Sequence, residues 1–150
     1  MDEDPTRKPT PTMKTSRQVQ GDIYRSLRAS ALAKAISGDV YRQGLRPRDS
    51  RREDAVVVFT TGTSGQVQDG IVTVNVFVPD IDPLDDGALV EDTRRTEELE
   101  TLAQEWVEGM RCPGYLFRLA EAVHTQWEPS IGQHFVVVRI RWRYGENEVY

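Results

Sequence analysis

Two runs of β-branched residues dominate the hydrophobic pattern, one over Ala55 to Thr63 (AVVVFTTGT) and one over Gly70 to Val78 (GIVTVNVFV). Branching at Cβ suits a pleated, half-buried surface better than a helical turn. The polar stretch from Ser64 to Asp69 is too short for anything but a connection, so the region predicts a long β-hairpin. Alternation sends Val56, Val58 and Thr60 to one face of the first arm and Val57, Phe59 and Thr61 to the other. In the return arm Val72, Val74, Val76 and Val78 share a face opposite Ile71, Thr73, Asn75 and Phe77. Both faces are substantially apolar, so each needs a cover, from helices of the same chain or from another subunit.

Upstream, Val19, Ile23, Leu27, Ala31 and Ala35 recur at every fourth position. This predicts one amphipathic helix over Arg17 to Ser37, capped by Ser16 and stopped by Gly38. Asp39 to Gln43 is a short strand candidate, and Gly44 to Arg52 a basic loop that leads into the hairpin. Asp80 to Ala88 is an acidic loop in which Pro83 and Gly87 forbid regular structure. Leu99, Leu102, Ala103, Trp106 and Met110 mark the buried stripe of a second helix, from about Glu91 to Gly109. Tyr115 to Trp127 fits both a helical and a two-residue period; a strand is expected, since it pairs economically with Gln133 to Tyr144 across the Pro129/Gly132 loop. In that last strand Val136, Val138, Ile140, Trp142 and Tyr144 line one face, and Arg139, Arg141 and Arg143 the other. Residues 1–16, rich in proline and without apolar period, read as a disordered or extended arm. The expected architecture for 17–150 is a single α+β domain, a mainly antiparallel sheet with a long hairpin, packed by two helices.

A length of 150 residues suffices for one domain burying about 68–70% of the surface of its unfolded chain. The net charge of −5 weighs against wholesale attraction to nucleic acid or an anionic membrane. Cys112 has no partner cysteine, and His124 and His134 are the only histidines, so neither a disulfide nor a metal site is expected. No apolar leader and no long apolar run suggest secretion or a membrane span.

Gly62 to Gln66 mimics a phosphate loop but lacks the lysine and the following helix that a cradle requires. Counted from Asp80, Glu91 falls where a calcium loop places its last ligand; Leu84, Asp85 and Pro83 then break the pattern, leaving a solvated loop. A Cys112–histidine dyad would need a lowered thiol and a base in reach, and a structural pair of histidines on neighbouring strands is the plainer reading. No catalytic residue, cofactor site or metal site is assigned. Two basic features remain: the loop cluster Arg46, Arg48, Arg51 and Arg52, interleaved with acids, and the stripe Arg139, Arg141 and Arg143. Either could meet phosphates, as in a nucleic-acid-binding accessory protein. The missing aromatic interleaving and the acidic total favour salt bridges to a helix or a neighbouring subunit.

The order of elements resembles the small tail-completion, or tail-terminator, proteins of long-tailed bacteriophages and prophages. The resemblance lies in the opening helix IYRSLRASALAKAISGDVYRQG, the loop LRPRDS, the strand pair VVVFTTG and GIVTVNVFVPD, the later helix with Leu99, Leu102 and Trp106, and the closing strand HFVVVRIRWRY. It spans about residues 19–144 and is one of pattern; no short motif is diagnostic. It implies a structural, non-enzymatic protein that forms a ring, commonly of six subunits, capping the tail tube and meeting a head-completion or neck protein. DNA would pass only through the lumen, and the chain would be found in the virion at the head–tail junction or in the host cytoplasm during assembly. On that reading Arg46, Arg48, Arg51 and Arg52, the hairpin tip with Thr63, Ser64, Gln66 and Gln68, and the stripe Arg139, Arg141 and Arg143 belong to interfaces.

Overall fold

The computed structural model describes residues 13–63 and 67–145. Within them three helices, α1 (Ser16–Arg28), α2 (Ala31–Ala35) and α3 (Thr93–Gly109), accompany six strands. The strands are β1 (Val40–Arg42), β2 (Ala55–Gly62), β3 (Val67–Pro79), β4 (Tyr115–Leu119), β5 (His124–Glu128) and β6 (Gln133–Gly145). They form one sheet in the order β1-β2-β3-β6-β4, with β5 beside β4 along the same edge of β6. All pairings are antiparallel except β1 with β2, which the 43–54 loop returns in parallel. The fold is therefore the expected α+β architecture with a mainly antiparallel sheet.

Three elements depart from expectation. The single helix over Arg17 to Ser37 is two, because Ser30 leaves the helical ladder: its hydroxyl donates to the Leu27 carbonyl at 2.6 Å and accepts from the Ala33 amide at 3.1 Å. A serine that bonds its own neighbourhood offers the backbone an alternative to the helix. The first cap is Thr15, not Ser16, in a reciprocal box with Gln18. The strand expected over Tyr115 to Trp127 is likewise two: Leu119 pairs Ile140 and His124 pairs Val137, so residues 120–123 stand opposite only positions 138 and 139 and bulge out.

The arm expected over 1–16 lies mostly outside the described residues, which begin at Met13. Lys14 is already fixed to the body: the Gln68 side chain accepts from its amide at 2.6 Å and donates to its carbonyl at 3.0 Å. Ser16 opens α1.

The hairpin pairs Ala55 with Val76 and Gly62 with Gly70, with a bulge between Phe59 and Thr61. Gly70 faces the Thr61 carbonyl so closely that a Cβ there would collide with it. The face made by Val72, Val74, Val76, Val57, Val136 and Val138 is fully buried under α1 and α3. Each such aliphatic contributes about 1.5–3 kcal/mol on leaving water, which keeps all three helices on this side.

The opposite face has a different cover, and only at one end. Arg46, from the 43–54 loop, lies with its guanidinium 4.0 Å from the Phe77 ring centroid, and Phe77 packs on Phe135. Toward the hairpin tip no described helix or loop covers Val58, Ile71 and Thr73, which remain half-buried.

Candidate functional site

Asp54 anchors the loop at the covered end. It is completely buried and accepts from Arg46 Nε at 2.9 Å, the Asp39 amide at 2.9 Å and the Ser50 hydroxyl. Burial works against its charge, but the bonds from Ser50, Asp39 and Arg46 together outweigh it and hold the carboxyl below its ordinary value. Arg46 spends its remaining donors on the Ser50 and Arg52 carbonyls and on Gln133 Oε1 at 3.0 Å. Of the four loop arginines expected at an interface, Arg46 therefore points inward and fastens the lid over Phe77. Arg48, Arg51 and Arg52 are exposed.

Beside this hub Arg95 of α3 grips Glu53 with two bonds, at 2.7 and 2.8 Å, and donates to the Ala35 carbonyl and to Glu98. Burial raises the Glu53 carboxyl, and the bonds from Arg95 and the Ser37 amide bring it below its ordinary value. The two networks tie loop, α2 and α3 into one unit.

The uncovered end carries the arginine stripe. Arg139, Arg141 and Arg143 project from the outer face of β6, as expected, and Arg118 of β4 stands directly opposite Arg141. Like charges directly opposite in an antiparallel pair are destabilising. Within the row Arg118 and Arg143 have partners, whereas Arg139 Nε is 3.9 Å from Glu121 and buried without a hydrogen bond. Arg118 escaped the sequence reading because only the β4–β6 register places it in the row.

At the hairpin tip Thr63 is exposed and its hydroxyl donates to Asp69 at 3.0 Å. Ser64 and Gln66 lie outside the described residues. Gln68, expected at an interface, is buried and holds Lys14.

The acidic loop was legible in the sequence, but the outward turn of its apolar residues was not. Ile81 and Val90 exchange two backbone bonds at 2.9 Å, closing the loop at its neck. Inside it Asp82 accepts from the Asp86 and Gly87 amides, and Pro83 and Leu84 occupy the corner of a turn closed from Asp85 to the Asp82 carbonyl. The corner lifts Leu84 into solvent, 79% exposed, with Ile81, Leu89 and Val90 also outside. Among the described residues no group of three His, Cys, Asp or Glu is arranged to hold a metal ion.

The titratable candidates are dispersed. His124 and His134 pair with Val137 and Trp127 and so sit on opposite faces of the sheet, not side by side as expected. His134 is held by Asp80 at 2.6 Å, with Glu91 at 3.5 Å. Cys112 lines an open cleft of about 560 Å³ with Lys14, Asp22, Arg25, Arg111 and Tyr115. Burial pushes its thiol up, away from the thiolate a nucleophile needs. Burial and the bond to Asp22 push the Tyr115 hydroxyl up as well. In this cleft burial therefore holds both the Cys112 thiol and the Tyr115 hydroxyl in their neutral forms.

No family model and no curated protein matches the chain. It is similar to a solved structure that bears only a sequence identifier for a name, at 18% identity and a TM-score of 0.48, covering 88% of this chain and 98% of that one. At that level of similarity the functional reading rests on this chain's own residues. No described helix is long and apolar enough to cross a membrane.

Proposed function

We propose that the chain is a structural assembly protein: a ring-forming tail-terminator or tail-completion subunit of a long-tailed phage or prophage. It caps the tail tube at the head–tail junction and meets a head-completion or neck protein, in the virion or in the bacterial cytoplasm during assembly. One observation supports the assembling part of this reading: toward the hairpin tip no described helix or loop covers half-buried Val58 and Ile71, and the Arg139 Nε beside them is buried without a hydrogen bond. Such a face is costly alone and is satisfied by a neighbour bringing apolar surface and acids. Symmetric self-association is the cheapest supply of such neighbours. The phage assignment itself rests on the pattern of elements described above.

Sedimentation velocity and negative-stain microscopy of the purified chain test the reading: a concentration-dependent oligomer with ring particles is expected, and reversing charge at Arg48 and Arg51 shifts it toward monomer. A strict monomer at high concentration in low salt overturns it. The competing reading, a nucleic-acid-binding accessory protein, draws on the same arginine row. It requires DNA affinity that falls steeply with salt, which a titration reads directly.

A further inference from the structure

Trp142 is 1% exposed, yet its Nε1–H meets no acceptor among the described residues. Buried polar groups of this kind as a rule find a partner. Trp106 shows the ordinary case, its Nε1 donating to the Ser26 hydroxyl at 3.2 Å. The rings beside Trp142 do not help. Phe59, 6.2 Å away between centroids, is a hydrocarbon, and Tyr115, at 6.4 Å, commits its hydroxyl to Asp22 at 2.6 Å. The indole lines a cleft of about 250 Å³ between α1 and the tip end of the sheet, together with Val19, Phe59, Gly62, Thr63 and Gln68.

We infer that this cleft binds a small, uncharged ring compound that brings a carbonyl oxygen to Trp142 Nε1. Gly62 leaves the room for it. Its φ lies outside the left-handed region that favours glycine, but a Cβ there would stand 2.8 Å from Phe59 Cζ and 3.2 Å from Trp142 Cζ2. Cζ2 and Nε1 are bonded to the same ring carbon, so the indole edge that carries the N–H is turned toward this gap. Gly70 pairs with Gly62 on one side and Trp142 on the other, which lets the indole reach across β3. The volume exceeds the ~150 Å³ of a cavity that takes benzene and falls below the ~300–1,000 Å³ of drug-sized sites, so it suits one ring. The polar groups of the lining are already engaged: Gln68 bonds the Lys14 backbone with both ends of its amide, and the Thr63 hydroxyl donates to Asp69. An indole nitrogen only donates, so the missing group is an acceptor. Lys14, which carries the charge on this lining, is paired with Asp22 at 3.1 Å. Apolar walls and a neutralised cation favour a carbonyl over a carboxylate, which would be desolvated without a countercharge. The cleft lies on the helix side of the sheet and is independent of the assembling reading.

Benzamide is the probe and toluene, a ring without an acceptor, its control. In ¹⁵N-labelled protein the indole N–H signals of Trp106, Trp127 and Trp142 are separable, the last assigned by its loss in Trp142→Phe. Without ligand the Trp142 indole proton is expected upfield of that of Trp106. Benzamide should move it downfield and saturate, leaving Trp106 and Trp127 in place. Toluene should bind about tenfold more weakly, the loss of one hydrogen bond, and produce no downfield movement. Gly62→Ala fills the gap and should weaken benzamide by about tenfold or more. Should that variant unfold, Trp142→Phe keeps a ring and drops the N–H, and the same loss is read from the Gly70 amide. No saturable shift, an equal response to toluene, or unchanged affinity in the variants overturns the proposal. A Trp142 proton already downfield without ligand also overturns it, since water or the protein itself then supplies the acceptor. None of these outcomes bears on self-association, which sedimentation reads separately.

Discussion

Two charged loops bracket the start of the hairpin, and they use their side chains in opposite ways. The 43–54 loop, basic by composition, turns its central arginine inward, where Arg46 covers Phe77 and neutralises the buried Asp54. The 80–92 loop, acidic by composition, satisfies its own backbone with Asp82 and Asp86 and turns Ile81, Leu84, Leu89 and Val90 outward. One loop buries an ion pair at its centre and the other displays its apolar side chains. The difference teaches that charge density along a sequence does not locate an interface. A buried carboxylate such as Asp54 recruits the nearest arginine into the fold, while a loop that closes on its own polar groups frees its apolar residues for a partner.

The comparison breaks most visibly at Asp54. Asp54→Ala leaves Arg46 in a half-closed site without its countercharge and orphans the Asp39 amide, so urea unfolding should show a loss of about 3–5 kcal/mol, the range for breaking a buried pair. A result near zero would mean that the lid over Phe77 holds without its anchor. Gly38→Ala comes next. A Cβ at that position collides with Asp54 Oδ1 and the Glu53 carbonyl, and about 1–3 kcal/mol of overpacking cost is expected from the same assay.

The acid sensitivity of the inward-turned region follows in size. Glu53 and Asp54 have folded pKa values below their ordinary 4.5 and 3.8, so the stability they contribute is fully present above the ordinary carboxylate range and lost as pH falls through the lowered values. The melting temperature should therefore drop on acidification from about pH 5 downward. Arg95→Met, which removes the two Arg95 bonds to Glu53 and leaves that from the Ser37 amide, should flatten that slope in part; an unchanged slope would assign the acid sensitivity to other groups.

How far the fold was legible depended on the range of the deciding contact. β3 and β6 were readable because their sequence alternates, and burial follows that alternation from Val72 through Val78 and from Val138 through Trp142, although Val137 is buried along with its neighbours. The break between α1 and α2 was hidden, since the apolar fourfold spacing runs on through Ala31 and Ala35 while Ser30 interrupts the backbone by bonds that a hydrophobic pattern does not record. The parallel return of β1 needed the register Val40 with Ala55, which nothing local announces. For the candidate surface, the stripe on β6 was legible from alternation, but Arg118 entered the row only through the β4–β6 pairing. The inward bonds of Arg46 were hidden for the same reason: one of its partners, Gln133, lies 87 positions away in the chain.

The smallest effect sharpens the comparison most. Leu84→Ser removes a large aliphatic side chain, which in a core position would cost several kcal/mol through lost transfer energy and cavity formation. Leu84 is 79% exposed and stands at a turn corner already closed by Asp82, so neither term applies. Its unfolding free energy should stay within about 0.5 kcal/mol of the parent, the range for surface changes away from caps and networks. A stability loss well beyond that range would place Leu84 inside the folded unit, against some part of its own chain, and the contrast between an inward-facing and an outward-facing loop would no longer hold.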